Sequence, residues 1–455
     1  MREGGPCKKV ADISSIQSIG VRQAHRSEMT DNSKPPTMAA VPILLLLSLL
    51  LHCATRASAL SSSPVGVNYG LVADNLPSPT SVGPLLASIN VGRVKLYDTD
   101  SAVLSALSTT GFELIVGLPD RCVVKLADPS AALVWVKANL QPHLPAAKIA
   151  AVTVGNEVLT GNDTAVMAAL VPAMRSLRSA LDSLGLRSVA VTTPHSLAIL
   201  ANSFPPSAGR FRQELIPYLC PLLDFLAETG SPFFINAYPY FAYKAEPDNV
   251  TLNYALFEPN PGVLDPGSGL KYENMLDAQV DAVYAAISAA TGGKGKGLEV
   301  RVSETGWPSD GDENEVGATA ANAAKYNGNL MKMVAEGKGT PARPSQVLRV
   351  YVFALFNENL KPGPKSERNY GLFKPDGTPA YDLGIKPETE SPTTSGGGSS
   401  GGRGGGSSDE GDGSSSSGYY SISAAAAVTV SCPPVHFKLF NFNYFVLIII
   451  LTILL

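Results

Sequence analysis

Ile149-Ala150-Ala151-Val152-Thr153-Val154-Gly155-Asn156-Glu157 begins as a small, apolar run and stops at a glycine, an amide and a carboxylate. A run without polar alternation suits a strand buried on both faces, as in a parallel sheet covered by helices. Working outward, short β-rich runs of this kind recur at Pro64–Tyr69, Arg93–Tyr97, Glu113–Leu118, Lys148–Val154, Ser188–Thr193, Phe233–Tyr238, Glu299–Ser303 and Arg349–Leu355. Between them lie amphipathic stretches of helical length, among them Ala131–Leu140, Ala165–Leu184, Glu273–Ala290 and Ala318–Val334. Eight strand-plus-helix units in roughly 325 residues fit an α/β fold of the (β/α)8 TIM-barrel type, and no GxGxxG turn follows the first strand to favour an open doubly wound sheet. In such a barrel the chemistry sits at the carboxyl ends of the strands.

The chain has 455 residues, 35 Lys and Arg against 39 Asp and Glu, a formal charge of -4, 45% apolar and 16% charged residues. That composition fills a large core, excludes global disorder and offers no basic field for nucleic acid. Cysteines at 7, 53, 122, 220 and 432 form no CxxC pair and no metal-ligand spacing, so neither a metal nor any other cofactor is expected.

Outside the barrel, at 60–388, the ends read as processing segments. Residues 1–37 are polar, without hydrophobic periodicity, and precede Met38, the expected initiator. Residues 38–59 read as a signal peptide: eleven residues from Pro42 to His52, too short to span a bilayer, lead to Ala57-Ser58-Ala59, an A-x-A cleavage signal. A buried core helix is the competing reading. Residues 389–422, rich in Ser and Gly, read as a disordered tether. Within 423–455, small residues, a spacer and the apolar run Phe445–Leu455 match a GPI-attachment signal, with a C-terminal membrane helix as the alternative. The expected location is the outer leaflet of the plasma membrane, facing the cell wall.

Glu157 ends the fourth run, and Glu304 ends the seventh in Val302-Ser303-Glu304-Thr305-Gly306-Trp307-Pro308, almost across the barrel. Either glutamate alone reads as well as a structural ion-pair partner. Two at matched positions point to one cavity and to glycoside hydrolysis, where one carboxyl donates a proton and the other attacks the anomeric carbon or activates water. Aromatic residues gather at the same strand ends: Tyr69, Tyr97, Tyr238, Tyr240, Phe241, Tyr243, Trp307 and Phe356. Each suits either core packing or the apolar face of a sugar. His195, after the fifth run, is structural or sugar-contacting, since no Ser/His/Asp order surrounds it.

Six blocks in order carry a resemblance: Val65-Gly66-Val67-Asn68-Tyr69-Gly70, Val94-Lys95-Leu96-Tyr97-Asp98, Val154-Gly155-Asn156-Glu157-Val158, Asn236-Ala237-Tyr238-Pro239-Tyr240, Ser303-Glu304-Thr305-Gly306-Trp307-Pro308 and Glu367-Arg368-Asn369-Tyr370-Gly371-Leu372-Phe373. Across nearly all of 63–386 the chain resembles the plant glucan endo-1,3-β-glucosidases of glycoside hydrolase family 17. The resemblance implies Glu157 as acid/base and Glu304 as nucleophile, with Glu358, Lys361 and Glu367 in the surrounding network; Asn156, next to Glu157, is expected to support them. On their strand-end positions, Tyr69, Tyr97, Asn236, Tyr238, Trp307 and Phe356 are the expected substrate contacts. The resemblance also implies retention of configuration, which asks for carboxyls about 5 to 5.5 Å apart. At that distance mutual repulsion should raise the pKa of Glu157, while neighbours such as Lys361 hydrogen-bond Glu304 and keep it ionised.

One departure is Asp120, where the family more often has Asn, which puts a subsite contact in doubt. No cysteine or tryptophan cluster follows residue 386, so no carbohydrate-binding module is expected. The loops Tyr240–Lys271 and Pro308–Glu315 are long enough to wall a groove for internal attack on a β-1,3-glucan such as callose, by an enzyme expected to act as a monomer. Mixed-linkage 1,3;1,4-glucan is the rival substrate, and a weakly active callose-binding surface protein the rival class. Asn162-Asp163-Thr164 and Asn249-Val250-Thr251 are N-glycosylation acceptors that fit secretion. Cys122 and Cys220 are left as a disulfide or as two buried thiols.

Overall fold

The computed structural model describes Ser63 and residues 65–384. The expected leader, tether and anchor segments, and Pro64 at the start of the first run, lie outside the described residues. Nine strands make one all-parallel sheet: β1 (Val65–Tyr69), β2 (Arg93–Leu96), β3 (Glu113–Leu118), β4 (Lys148–Val154), β5 (Ala190–Thr192), β6 (Pro194–Ser196), β7 (Phe233–Asn236), β8 (Val300–Thr305) and β9 (Val350–Val352). All eight expected runs are strands, in the spatial order β5-β4-β3-β2-β1-β9-β8-β7-β6.

The fifth run is followed at once by a strand that the sequence reading did not expect. The run itself, as β5, pairs with β4, Val152 opposite Val191, whereas β6, just beyond it, pairs with β7, His195 opposite Ile235. Pro194 explains the break between them, because proline has no N–H to give to a ladder and is excluded from uninterrupted central strands. β5 and β6 sit at opposite ends of the strand order, so this seam closes the barrel.

Alternation then sorts the side chains. Ile115, Ala151, Phe234 and Tyr351 meet inside the barrel. Val67, Val94, Val116 and Val152 belong to the larger core against the helices, with Leu104, Leu177 and Leu222. Each fully buried leucine there contributes on the order of 2 kcal/mol of hydrophobic stabilisation.

The helical layer comprises α1 (Val82–Ser88), α2 (Ser101–Leu107), α3 (Asp120–Leu126), α4 (Pro129–Asn139), α5 (Thr164–Ser183), α6 (Ile216–Thr229), α7 (Pro239–Ala245), α8 (Leu252–Ala255), α9 (Met275–Ala290) and α10 (Ala320–Ala335). The four expected helices appear as α4, α5, α9 and α10, shifted by one or two residues because capping side chains set their starts. Asp128, Asp163, Asn274 and Thr319 each accept from backbone N–H groups of the first turn. The expected loop Tyr240–Lys271 is partly ordered, holding most of α7, all of α8 and a short antiparallel hairpin at Val263–Leu264 and Lys271–Tyr272. Cys122 in α3 and Cys220 in α6 are both disulfide-bonded, which settles the choice against free thiols.

Candidate active site

Glu157 directly follows β4 in a left-handed conformation, φ 55°, after Gly155 at φ 66°. For a residue with a Cβ this costs on the order of 1 to 3 kcal/mol and persists only where the surroundings over-determine it. Here they do. Gly155 N–H donates to Leu118 O at 2.8 Å, Asn156 N–H to Asp120 Oδ1 at 2.8 Å, and Glu157 N–H to Pro194 O at 2.9 Å. Thr160 donates to Glu157 O through both its N–H, at 3.0 Å, and its hydroxyl, at 2.9 Å. Asp120, the departure noted in the sequence, thus braces the turn that carries Glu157. The Glu157 carboxyl accepts from Asn236 Nδ2 at 2.8 Å on Oε1, while Oε2 has no hydrogen-bond partner within the described residues.

Glu304 reaches the same strand-end site by a different device. The register of β8 shifts between Val302 and Glu304 against β7, and such bulges re-aim side chains beside active sites. Ser303 bonds the inward-facing Asn236, Glu304 also turns inward, and Thr305 bonds Tyr326 of α10 on the outside. Glu304 Oε1 accepts from Lys95 Nζ at 2.9 Å and from Tyr97 OH at 2.7 Å, and Oε2 accepts from Tyr238 OH at 3.0 Å. Burial and the Glu304 charge push both phenols well above their ordinary pKa, so both remain donors.

The two carboxyls are driven apart in protonation. Burial first, and then the Glu304 charge, raise Glu157 to about 8. This corrects the expectation that repulsion leads. Burial also acts upward on Glu304, but the Lys95 ammonium, together with the Tyr97 and Lys95 hydrogen bonds, outweighs it and holds the pKa below the ordinary value. Lys95 is the counter-ion that the sequence reading missed. The signal was present: a lysine between Val94 and Leu96 in a strand buried on both faces needs a buried anion as partner.

Lys361, expected to hydrogen-bond Glu304, instead pairs with Glu358 at 3.6 Å and lies 3.9 Å over the Phe353 ring, acting on Glu304 through charge alone. Glu358 accepts from Val72 N–H at 2.8 Å and packs so closely on Gly70 that a Cβ there would lie 2.4 Å from its carboxylate. Glu367 is buried; that burial raises its pKa and the Lys361 charge opposes the rise. Asn156 Oδ1 is buried without a partner among the described residues.

The expected sugar contacts divide. Tyr97 and Tyr238 bond the nucleophile candidate, and Asn236 bonds Glu157, so all three belong to the carboxyl machinery. Trp307 is fully buried between Tyr240 and Tyr326 and donates Nε1–H to Gly317 O at 2.8 Å. Tyr69 and Phe356 are buried and meet edge to face at 5.8 Å. These three are buried, whereas Tyr97, Phe241 and Tyr243 keep partial exposure. His195 faces outward, 4.8 Å from the Phe233 ring, and is structural. Asn162 and Asn249 are exposed. The stretch expected to wall the groove ends in a clasp: Glu315 accepts from Lys244 Nζ at 2.8 Å and from Ser366 Oγ at 2.5 Å, tying together the loops that follow β7, β8 and β9.

Comparison with known proteins agrees with this geometry. The chain is 54% identical over 346 residues to glucan endo-1,3-beta-glucosidase 11 of Arabidopsis thaliana, covering 75% of this chain and 80% of that protein. It is 57% identical over 326 residues to glucan endo-1,3-beta-glucosidase 10 of the same plant, covering 71% and 76%. A solved beta-1,3-glucanase and allergen of Cryptomeria japonica pollen superposes with a TM-score of 0.67 at 37% identity, covering 70% of this chain and 98% of that one. Residues 65–385 match the glycosyl hydrolases family 17, and the chain belongs to that family.

Proposed function

We propose that the protein is a retaining glucan endo-1,3-β-glucosidase acting on callose-type β-1,3-glucan. The observation that carries the reading is the pair of buried carboxyls held in opposite protonation states at the strand ends of one barrel. Glu157, protonated through neutral pH, donates from Oε2 to the glycosidic oxygen as the bond to the anomeric carbon breaks. Glu304, ionised by Lys95, attacks that carbon and forms a glycosyl ester. Glu157, now a carboxylate, takes a proton from water, whose oxygen displaces Glu304 and restores the starting configuration. Asn156, whose Oδ1 has no partner among the described residues, is the group proposed to accept from a sugar hydroxyl.

Supporting the substrate assignment are the names of the similar glucan endo-1,3-beta-glucosidases and the Glu315 contacts that tie together the loops after β7, β8 and β9. Product analysis tests it: laminarin yielding oligosaccharides, with the β-anomer formed first by NMR, supports the reading. Cleavage confined to mixed-linkage glucan, or tight polymer binding without products, overturns it. We also propose secretion through residues 38–59 and a GPI anchor directed by 423–455, on the order of small residues, spacer and apolar run. Release of the protein from membranes by phosphatidylinositol-specific phospholipase C is expected; retention after treatment would favour a membrane helix.

A further inference from the structure

Asn236 is 3% exposed, and both ends of its side-chain amide are spoken for. Its Oδ1 accepts from Ser303 Oγ at 2.5 Å and its Nδ2 donates to Glu157 Oε1 at 2.8 Å. Ser303 is fully buried and immediately precedes Glu304, turned inward beside it at the bulge. We infer that Ser303 and Asn236 form a positioning relay that selects which oxygen of Glu157 carries the catalytic proton, an inference resting on the acid/base role proposed above.

A carboxylic acid has one protonated oxygen and one that only accepts. An N–H aimed at Oε1 makes that oxygen the acceptor and leaves the proton on Oε2, the oxygen without a partner among the described residues. Asparagine is nearly symmetric in shape and a serine hydroxyl can donate or accept, so the amide is oriented by Ser303 together with Glu157, whose ionised form can only accept. With the Ser303 hydroxyl donating to Oδ1, the NH2 faces Glu157. Without Ser303 the amide is free to turn by half a revolution and present Oδ1 to the acid. Glu157 would then donate its proton to the amide rather than to the glycosidic oxygen. The bulge thus gives two consecutive residues separate duties, Glu304 at the attacking carboxylate and Ser303 at the proton donor, through one intervening amide.

The test compares kcat/KM, which reports on the step that breaks the glycosidic bond, for laminarin and for 2,4-dinitrophenyl β-laminaribioside, whose leaving group needs no proton. Asn236→Ala is expected to lose about 100-fold on laminarin and less than about fivefold on the dinitrophenyl substrate, and Ser303→Ala about tenfold and less than about twofold. The basic limb of the laminarin profile, set by Glu157 near pH 8, should move upward in Asn236→Ala, because the lost amide favoured the ionised form. Glu304, Lys95 and Glu367, the charged groups that also face Glu157, remain in both variants. Equal losses on both substrates, or an unmoved limb, overturn the relay. Should Asn236→Ala fail to fold by circular dichroism, Ser303→Ala, which removes one oxygen, carries the comparison alone. Glu157→Gln separates the two readings. If it shows the leaving-group split and the relay variants do not, the relay falls and the function stands. If the wild-type protein cleaves neither substrate, both fall.

Discussion

Glu157 and Glu304 are the same side chain at nearly the same burial, 5% and 7% exposed, yet one is raised to about 8 and the other held below its ordinary value. Their surroundings differ in kind. Glu157 has one neutral amide and a strained backbone, whereas Glu304 has an ammonium and two phenols in contact. Desolvation acts upward on both, so the assignment of acid and nucleophile depends on where the buried cation sits. His195 supplies the limit with no counter-charge at all: burial is the sole cause that takes it down to about 3.

The severest way to break this contrast is Glu304→Gln. Turnover of laminarin should fall by about 10⁴-fold or more, and wild-type rates would refute the nucleophile assignment. Next comes Lys95→Met, which removes the cation and keeps the bulk. Without it, burial dominates Glu304, so the acid limb of kcat/KM should move upward while activity falls by about 10² to 10³-fold. Because this variant leaves a buried carboxylate without its ion-pair partner, a destabilisation of about 3 to 5 kcal/mol by urea unfolding is also expected at neutral pH. An unmoved acid limb would show that the phenols alone hold Glu304 ionised.

The smallest effect belongs to the uncompensated group. His195 has a folded pKa depressed from 6.5 to about 3, so below pH 6.5 the unfolded chain binds a proton that the folded chain refuses. Its neutral form is fully accommodated above pH 6.5, and stability is lost as pH falls from there toward 3. At pH 5 the loss is about 2 kcal/mol. His195→Leu should flatten that part of the stability curve in urea titrations between pH 7 and 5; a parallel curve would mean the ring is not titrating in the unfolded chain alone.

Much of this was legible in the sequence, because apolar runs with polar stops report both where a parallel strand lies and where its active end begins. Glu157 and Glu304 stood out for that reason. Lys95 did not, since a charged residue within a strand declares its need for a partner without naming one. The bulge at Glu304 is a register effect between strands far apart in sequence, invisible in Val302-Ser303-Glu304 itself. The burial of Trp307, Tyr69 and Phe356 was not legible, because an aromatic near a strand end has the same composition signature whether it lies open or packed. The strand that begins at Pro194 was not foreseen, since the expected fifth run stops at Thr193 and only three residues follow in β6.

That proline joins two matters usually treated apart. Its carbonyl is the hook for the Glu157 amide, and its ring marks the join where the cylinder shuts. Loosening there would tilt the proton donor before any helix melted. Catalytic output would therefore fade ahead of the ellipticity signal on gentle heating, making the enzyme's own turnover the most sensitive gauge of whether its wall is intact.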